Sequence, residues 1–198
     1  PDFSAPVLID PISISETSTF TVGLFVETEL LNTSSKPFSL HKAIGKRAVY
    51  ENAYAPTYRA GGDFGLVDGI RGSRDYLDGN WQGFMYKDLE LLIDLGDLEE
   101  VKKITVGCLQ DTRSWIFMPT GIEFWGSISG ENFTQLGGVV NTVDPKADGA
   151  IRKDFELNLS SGKFRFIRVK GTNLGICPDW HNGKGNAAYL FVDEVIVE

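Results

Sequence analysis

No stretch of this chain keeps apolar residues at the three- and four-residue spacing of a helix for long enough to form one. Glycine and proline, 22 and 8 copies in 198 residues, cut it into short pieces. Between them β-branched and aromatic residues alternate with polar ones. Such a pattern buries its apolar side chains only by pairing strands, so the chain is read as all-β. Strands are expected over Thr19–Glu27, Leu89–Leu95, Val101–Leu109, Gly121–Ser129, Ile151–Leu159, Lys163–Lys170 and Tyr189–Glu198. Their spacing suits a β-sandwich. Alternation sets the inward faces: Ile104, Val106 and Cys108 on one strand, Ile122, Phe124 and Ile128 on another. Trp125 then points the other way, to the outer surface or a neighbouring domain. Ser129 to Asn132, between Ile128 and Phe133, reads as the tight turn of a hairpin.

Apolar residues make up 42% of the chain and aromatics 12%, enough for one core, or one core and a fragment, but short for two full domains. The charge of −8, from 27 acidic and 19 basic residues, opposes condensation on phosphate backbones or anionic lipid. Nucleic acid is therefore not expected as a partner. The longest apolar runs, Leu91–Ile93 and Tyr189–Val192, are too short for membrane insertion. The two cysteines, Cys108 and Cys177, sit among apolar neighbours and are read as two buried thiols, with one bridge as the alternative. Pro1 to Ile9 reads as the middle of a folded region, so the chain is expected to be a segment of a longer protein with any export signal upstream.

Two long loops interrupt the strand spacing, and binding residues usually sit on such loops. Asn52–Tyr86 carries Asp68, Arg71, Asp75, Tyr76 and Trp81. Gly171–Ala188 carries Cys177, Asp179, Trp180, His181 and Asn182. A boundary falls near Ser39–Gly45, where Pro37, Phe38 and Leu40 give way to His41-Lys42-Ala43. The piece before it supplies only a few strands, so it must pack on the main sandwich or fray.

Leu66-Val67-Asp68-Gly69 followed by Ser73, Trp81-Gln82-Gly83-Phe84, Ile93-Asp94-Leu95-Gly96 and the closing Phe191-Val192-Asp193-Glu194-Val195 are landmarks. Through them residues 42–198 resemble the discoidin, or coagulation-factor type C, domain. This is a jelly-roll β-sandwich of the galactose-binding-like fold, carried by many glycoside hydrolases as a carbohydrate-binding module. Residues 1–41 resemble the last strands of the small chitobiase-type C-terminal domain that precedes this module in bacterial family 20 β-N-acetylhexosaminidases. The resemblance implies an upstream catalytic domain in the same chain and a periplasmic, cell-surface or secreted location.

It also implies one structural calcium ion clamping the first long loop to the final strand. By position the ligands are Gly65 (carbonyl), Asp68, Ile70 (carbonyl), Ser73, Asp193 (carbonyl) and Glu194. The ion requires six to eight hard oxygens. Ile70 stands where relatives place a side-chain oxygen, so a backbone oxygen or water must substitute. Read without the resemblance, Asp68 caps an Asp-Gly turn and Glu194 is a solvated edge charge. Alternation, however, puts Glu194 with Leu190, Val192 and Ile196, and a carboxylate on a buried face needs a cation.

Sugars offer C–H faces and hydroxyl arrays, met by aromatic platforms with polar groups on rigid loops. The candidates are Arg71, Asp75, Tyr76, Trp81, Asp111, Trp115, Trp180, His181 and Asn182, with Gln110 and Arg113 beside them. Trp115, flanked by Ile116 and Phe117, reads equally as a loop anchor, and His181 as a partner for a loop carbonyl. The expected ligand is a glycan ending in galactose or an N-acetylhexosamine, held with a dissociation constant of roughly 0.1 to 10 mM. No catalytic motif occurs; Asp111 with Asp179 is the one pair resembling glycosidase carboxylates. The rival reading is a spacer or protein-interaction domain of the same enzyme without a sugar site.

Overall fold

The computed structural model describes residues 1–7 and 9–198. It contains two sheets. The first is an isolated hairpin of β1 (Ser18–Val26) and β2 (Glu29–Phe38). The second is built from β3 (Arg47–Tyr50), β4 (Gln82–Met85), β5 (Leu89–Gln110), β6 (Gly121–Ser127), β7 (Thr134–Val140), β8 (Ile151–Gly171) and β9 (Tyr189–Val197), every pair antiparallel. Among the described residues helix is confined to two 3₁₀ turns, Gly62–Phe64 and Thr112–Ser114.

β5 and β8 each fuse two strands that the sequence suggested were separate. Their mutual register slips between Asp94 and Glu99 and again between Val101 and Lys103, and glycines at 96 and 162 mark the bend. A bulged pair of this kind coils sharply, so one continuous ladder folds back into a sandwich. Residues 89–94 and 166–171 form one layer with β3, β6 and β7. Residues 103–110 and 151–158 form the other with β9 and β4.

The core between the layers follows the expected alternation. Leu89, Leu91, Ile93 and Leu95 meet Ile104, Val106, Cys108, Ile122, Phe124, Phe155, Ile167, Val169 and Val192, all at 1% exposure or less. The 22 buried residues of this cluster, the larger aliphatic and aromatic ones at about 1.5–3 kcal/mol each, are the main favourable term of the fold. Ile128 departs from expectation, being 65% exposed. β6 ends at Ser127, whose hydroxyl accepts from Gly130 N at 3.0 Å, so alternation stops one residue before it. The expected hairpin turn follows, joining β6 to β7.

The N-terminal hairpin is held to the sandwich by a narrow strap. Phe38 bridges Ile70, Ser39 N donates to Gly69 O (2.9 Å), Lys42 N to Val197 O (2.9 Å), and Lys36 Nζ reaches Asn80 (2.9 Å). β2 went unforeseen because Asn32-Thr33-Ser34-Ser35-Lys36-Pro37 has neither alternation nor a buried face; its residues are exposed up to Pro37. Val22, Leu24 and Val26 on β1 are each more than half exposed.

Candidate functional site

The ends of β5, β7 and β8 and the starts of β6, β8 and β9 lie at one edge of the sandwich, as the pairs Gln110↔Ile151, Gly121↔Val140 and Ile122↔Gly171 require. Three loops therefore converge there: 111–120, 141–150 and 172–188. They are bound to one another by Asn141 N→Thr120 O (3.0 Å), Thr120 N→Thr172 O (2.9 Å) and Gln110 Nε2→Asp144 O (2.9 Å). The long third loop is pinned by Asn173, whose amide donates to Phe84 O (2.8 Å) and Lys87 O (3.0 Å) while its oxygen accepts from Gly175 N (2.8 Å).

On this platform Trp180 is 42% exposed. Its ring stands edge-on to Phe117 (6.3 Å) and His181 (5.6 Å), and Lys146 Nζ lies 5.5 Å from its centroid. Phe117 also lines an adjoining depression of about 300 Å³ with Gln110, Thr120, Asn141, Val143 and Leu174. Gln110 is 1% exposed; its Nε2 donates to Asp144 O and its Oε1 is buried without a hydrogen-bond partner.

Trp115 is 39% exposed and sits at φ 63°, a left-handed conformation that costs a non-glycine residue energy and tends to persist at functional turns. Its indole packs on Gly183, where an added Cβ would lie 2.7 Å away. His181 resolves to the loop-anchoring role: Nδ1 accepts from Gly183 N (3.0 Å), so Nε2 carries the proton and donates to Thr112 O (2.6 Å). Both nitrogens are spent, and the ring orients Trp180. Asn182 is exposed beside it.

Asp111 is nearly buried, with Oδ1 3.6 Å from Arg113 Nε, whereas Asp179 is exposed and pairs with Lys184 at 3.0 Å. The two carboxylates occupy opposite environments. The loop end thus gathers Asp111, Trp115, Trp180, His181 and Asn182.

Arg71, Asp75, Tyr76 and Trp81 belong elsewhere, on the loop covering the outer side of the second layer. Arg71 is not a sugar-facing guanidinium: it ion-pairs with Asp193 (2.9 Å) and Asp154, and Gly72 N also donates to Asp193 (3.0 Å). Arg152 closes the clamp on Gly72 O (2.8 Å). Trp81, expected as a platform, is 1% exposed and packs with Leu109, Ile116 and Phe191; Gly72 is the residue whose missing side chain makes room for it. Tyr76 joins that cluster through Tyr58 and Phe191. Asp75 is exposed and caps Leu77 N (2.9 Å).

Asp68 and Glu194 do meet. The period-two expectation for β9 is corrected here. Its register against β5 slips between Val106 and Cys108, so Asp193 and Glu194 together oppose Gly107, and Val195 and Val197 enter the core rather than Ile196. Both acidic residues are fully buried. Glu194 Oε1 accepts from Gly69 N (3.1 Å) and lies 2.9 Å from His41 Nε2. His41 Nδ1 accepts from Ala43 N (3.3 Å), so Nε2 is the donor. Oε2 is buried with no partner. Burial, helped by the Asp68 and Asp193 charges, pushes the Glu194 carboxyl up to about 10, and burial also raises Asp68. Gln82 Oε1, on the strand beside Val192, is a second orphaned oxygen.

Glu194 Oε2 and Gln82 Oε1 are unpartnered hard oxygens of the kind calcium takes, whereas Asp68 Oδ1 already accepts from Ile70 N (2.8 Å). Asp68 needs room as well: a Cβ on Gly61 would lie 2.8 Å from its Oδ2. Among the described residues no three His, Cys, Asp or Glu side chains cluster as a metal site, so an ion here would depend on carbonyl and amide oxygens for most of its ligands. Ser73, expected as a ligand, is exposed and serves a turn, its hydroxyl accepting from Asp75 N (3.1 Å). Ile70 O and Gly65 O lie on the same loop, and the Asp193 side chain is committed to Arg71. His41 and Gln82 were missed. Their signal was present, a histidine at the domain boundary and a glutamine between two core residues, but only the fold brings His41 to Glu194 and sets Gln82 opposite Val192 on β9.

No family model matches the chain, and no curated protein is similar to it in sequence. Solved structures are similar in fold. A Streptococcus pneumoniae fucose-binding module superposes with a TM-score of 0.52 at 15% identity, covering 80% of this chain and 94% of the module. The lectin domain of lectinolysin, complexed with Lewis B antigen, gives 0.51 at 14%, covering 81% and 97%. Chitosan-binding module 1 from a Paenibacillus sp. IK-5 chitosanase/glucanase gives 0.50 at 14%, covering 80% and 98%. The chain shares the β-sandwich of these modules. At such identity the likeness concerns fold.

Proposed function

We propose that the chain is a non-catalytic carbohydrate-binding module that holds a parent glycoside hydrolase on its glycan. The observation that carries this reading is the loop end: a half-exposed tryptophan fixed by Phe117 and His181, flanked by Lys146, beside a depression lined by Phe117, Thr120 and Asn141. The ring takes the C–H face of a sugar, while Asn141 and Lys146 take hydroxyls. A rigid platform lowers the ordering cost of binding, and tethering adds effective concentration for a catalytic site. The fold shared with sugar-binding modules agrees with this role.

The preferred ligand is a terminal galactose or N-acetylhexosamine, and the parent a β-N-acetylhexosaminidase with its catalytic domain upstream. The N-terminal hairpin supports a preceding β-domain, because a two-stranded sheet with Val22, Leu24 and Val26 exposed is marginal alone. A calcium ion at Asp68 and Glu194 would neutralise the buried carboxylates and fix the loop over the second layer; in this role it is structural.

The test is a glycan array probed with the full chain and with Trp180→Ala. Binding to galactose- or N-acetylhexosamine-terminated glycans that the substitution removes supports the reading. Silence across the array from a folded chain refutes it and leaves the spacer role.

A further inference from the structure

The outer face of the first layer carries a second constellation, away from the loop end. In register across the strands stand Val49 on β3, Leu92 on β5, Arg168 on β8, Trp125 on β6 and Gln135 on β7. At about 4.8 Å per strand this row is roughly 19 Å long. Trp125 forms one wall of a depression of about 280 Å³ that Glu51, Leu92, Arg168 and Lys170 also line.

The charges there differ in how they are used. Lys170 is spent on Asp88 (3.4 Å) and Glu90 (3.2 Å). Arg168 is placed by stacking over Phe133, 4.4 Å from the ring centroid, and among the described residues neither it nor Glu51 has an ion-pair partner. An aromatic wall is therefore bordered by one free guanidinium and one free carboxylate.

We propose that this face is a second saccharide-binding surface, taking an uncharged sugar whose ring lies on Trp125 and whose hydroxyls donate to Glu51 and accept from Arg168. The chemistry selects the class. An anionic sugar meets Glu51 and Glu90, and a cationic one meets Arg168 and Lys170. A polyhydroxylated neutral ring satisfies the guanidinium and the carboxylate together, since each hydroxyl both donates and accepts. A row of this length accommodates more than one sugar unit, so a single chain would hold a glycan at two points, with the gain that bivalency brings. The inference shares with the proposed function only the premise that the chain binds saccharides.

The test is fluorine NMR of the full chain labelled with 5-fluorotryptophan, its four tryptophan signals assigned by Trp→Phe variants and titrated with lactose and with chitotriose to about 20 mM, twice the weak end of the expected affinity range. The Trp125 signal is expected to shift saturably in the native chain and equally in Trp180→Ala. Arg168→Ala, at an exposed position, is expected to weaken that response about tenfold while the Trp180 response is kept. A Trp180 shift with Trp125 unmoved overturns the second surface alone, as does a Trp125 shift that vanishes in Trp180→Ala. A Trp125 shift without one at Trp180 sustains it and overturns the loop-end site. No shift at either signal overturns both.

Discussion

Glu194→Gln separates the buried-carboxylate account from an ordinary core contact, because it predicts stabilisation by a conservative substitution at a fully buried position. The glutamine oxygen still accepts from Gly69 N and His41 Nε2; only Oε2, the atom without a partner, is exchanged for an amide. In chelator the folded protein keeps Glu194 protonated, with its carboxyl raised from 4.5 to about 10. A carboxyl raised on folding contributes stability below its unfolded value and loses it as pH climbs toward the folded one. The loss is about 1.4 kcal/mol for each pH unit. At pH 7 it amounts to roughly 3 kcal/mol, which for a domain of this size is about 6–12 °C in melting temperature. His41, held neutral by burial and lowered to about 4, opposes this trend only below its unfolded value of 6.5, so the clean window is pH 7–9. Calorimetry in EDTA is expected to show Glu194→Gln melting above the native chain, with the gap widening across that window. In calcium at a hundred times its dissociation constant the native chain gains about 2.7 kcal/mol and the variant gains nothing. A variant that melts lower in EDTA by the same margin at every pH, or that keeps the calcium response, refutes the reasoning.

Arg71→Ala leaves Asp193 buried without its counter-charge, which is expected to cost about 3–5 kcal/mol in urea unfolding; Arg71→Lys, lacking the fork that joins Asp193 and Asp154, recovers only part of it. Cys108 and Cys177 lie in separate apolar clusters as free thiols, and burial raises both. A thiol reagent is therefore expected to find none reactive in the native chain and two after guanidinium unfolding; none after unfolding would mean a bridge.

The sandwich was legible because its core strands obey alternation almost residue by residue: Ile104, Val106 and Cys108 lie inside as expected. What period-two reading misses is where the period slips. The bulge that buries Asp193 and Glu194 together, and the bends that fuse two strands in β5 and in β8, depend on pairing between distant segments, which no local window contains. At the loop end Trp180 and His181 stood out as an aromatic and a histidine among polar neighbours. Phe117, Lys146 and Gln110 join them only through three loops meeting in space. Arg71 and Trp81 carried the same polar and aromatic signal as a binding site, yet Asp193 and Gly72, far away or side-chain-free, turn one into a clamp and the other into core.

The loop-end site is tested most directly by following the backbone and indole N–H signals of the full chain by NMR as galactose or N-acetylgalactosamine is added. The expected result is saturable movement of the Trp180 indole and of amides in 111–120, 141–150 and 172–188, with a dissociation constant of about 0.1 to 10 mM. If those signals stay fixed at saturating concentrations of either sugar while the chain remains folded, the loop end is not a binding site for these sugars.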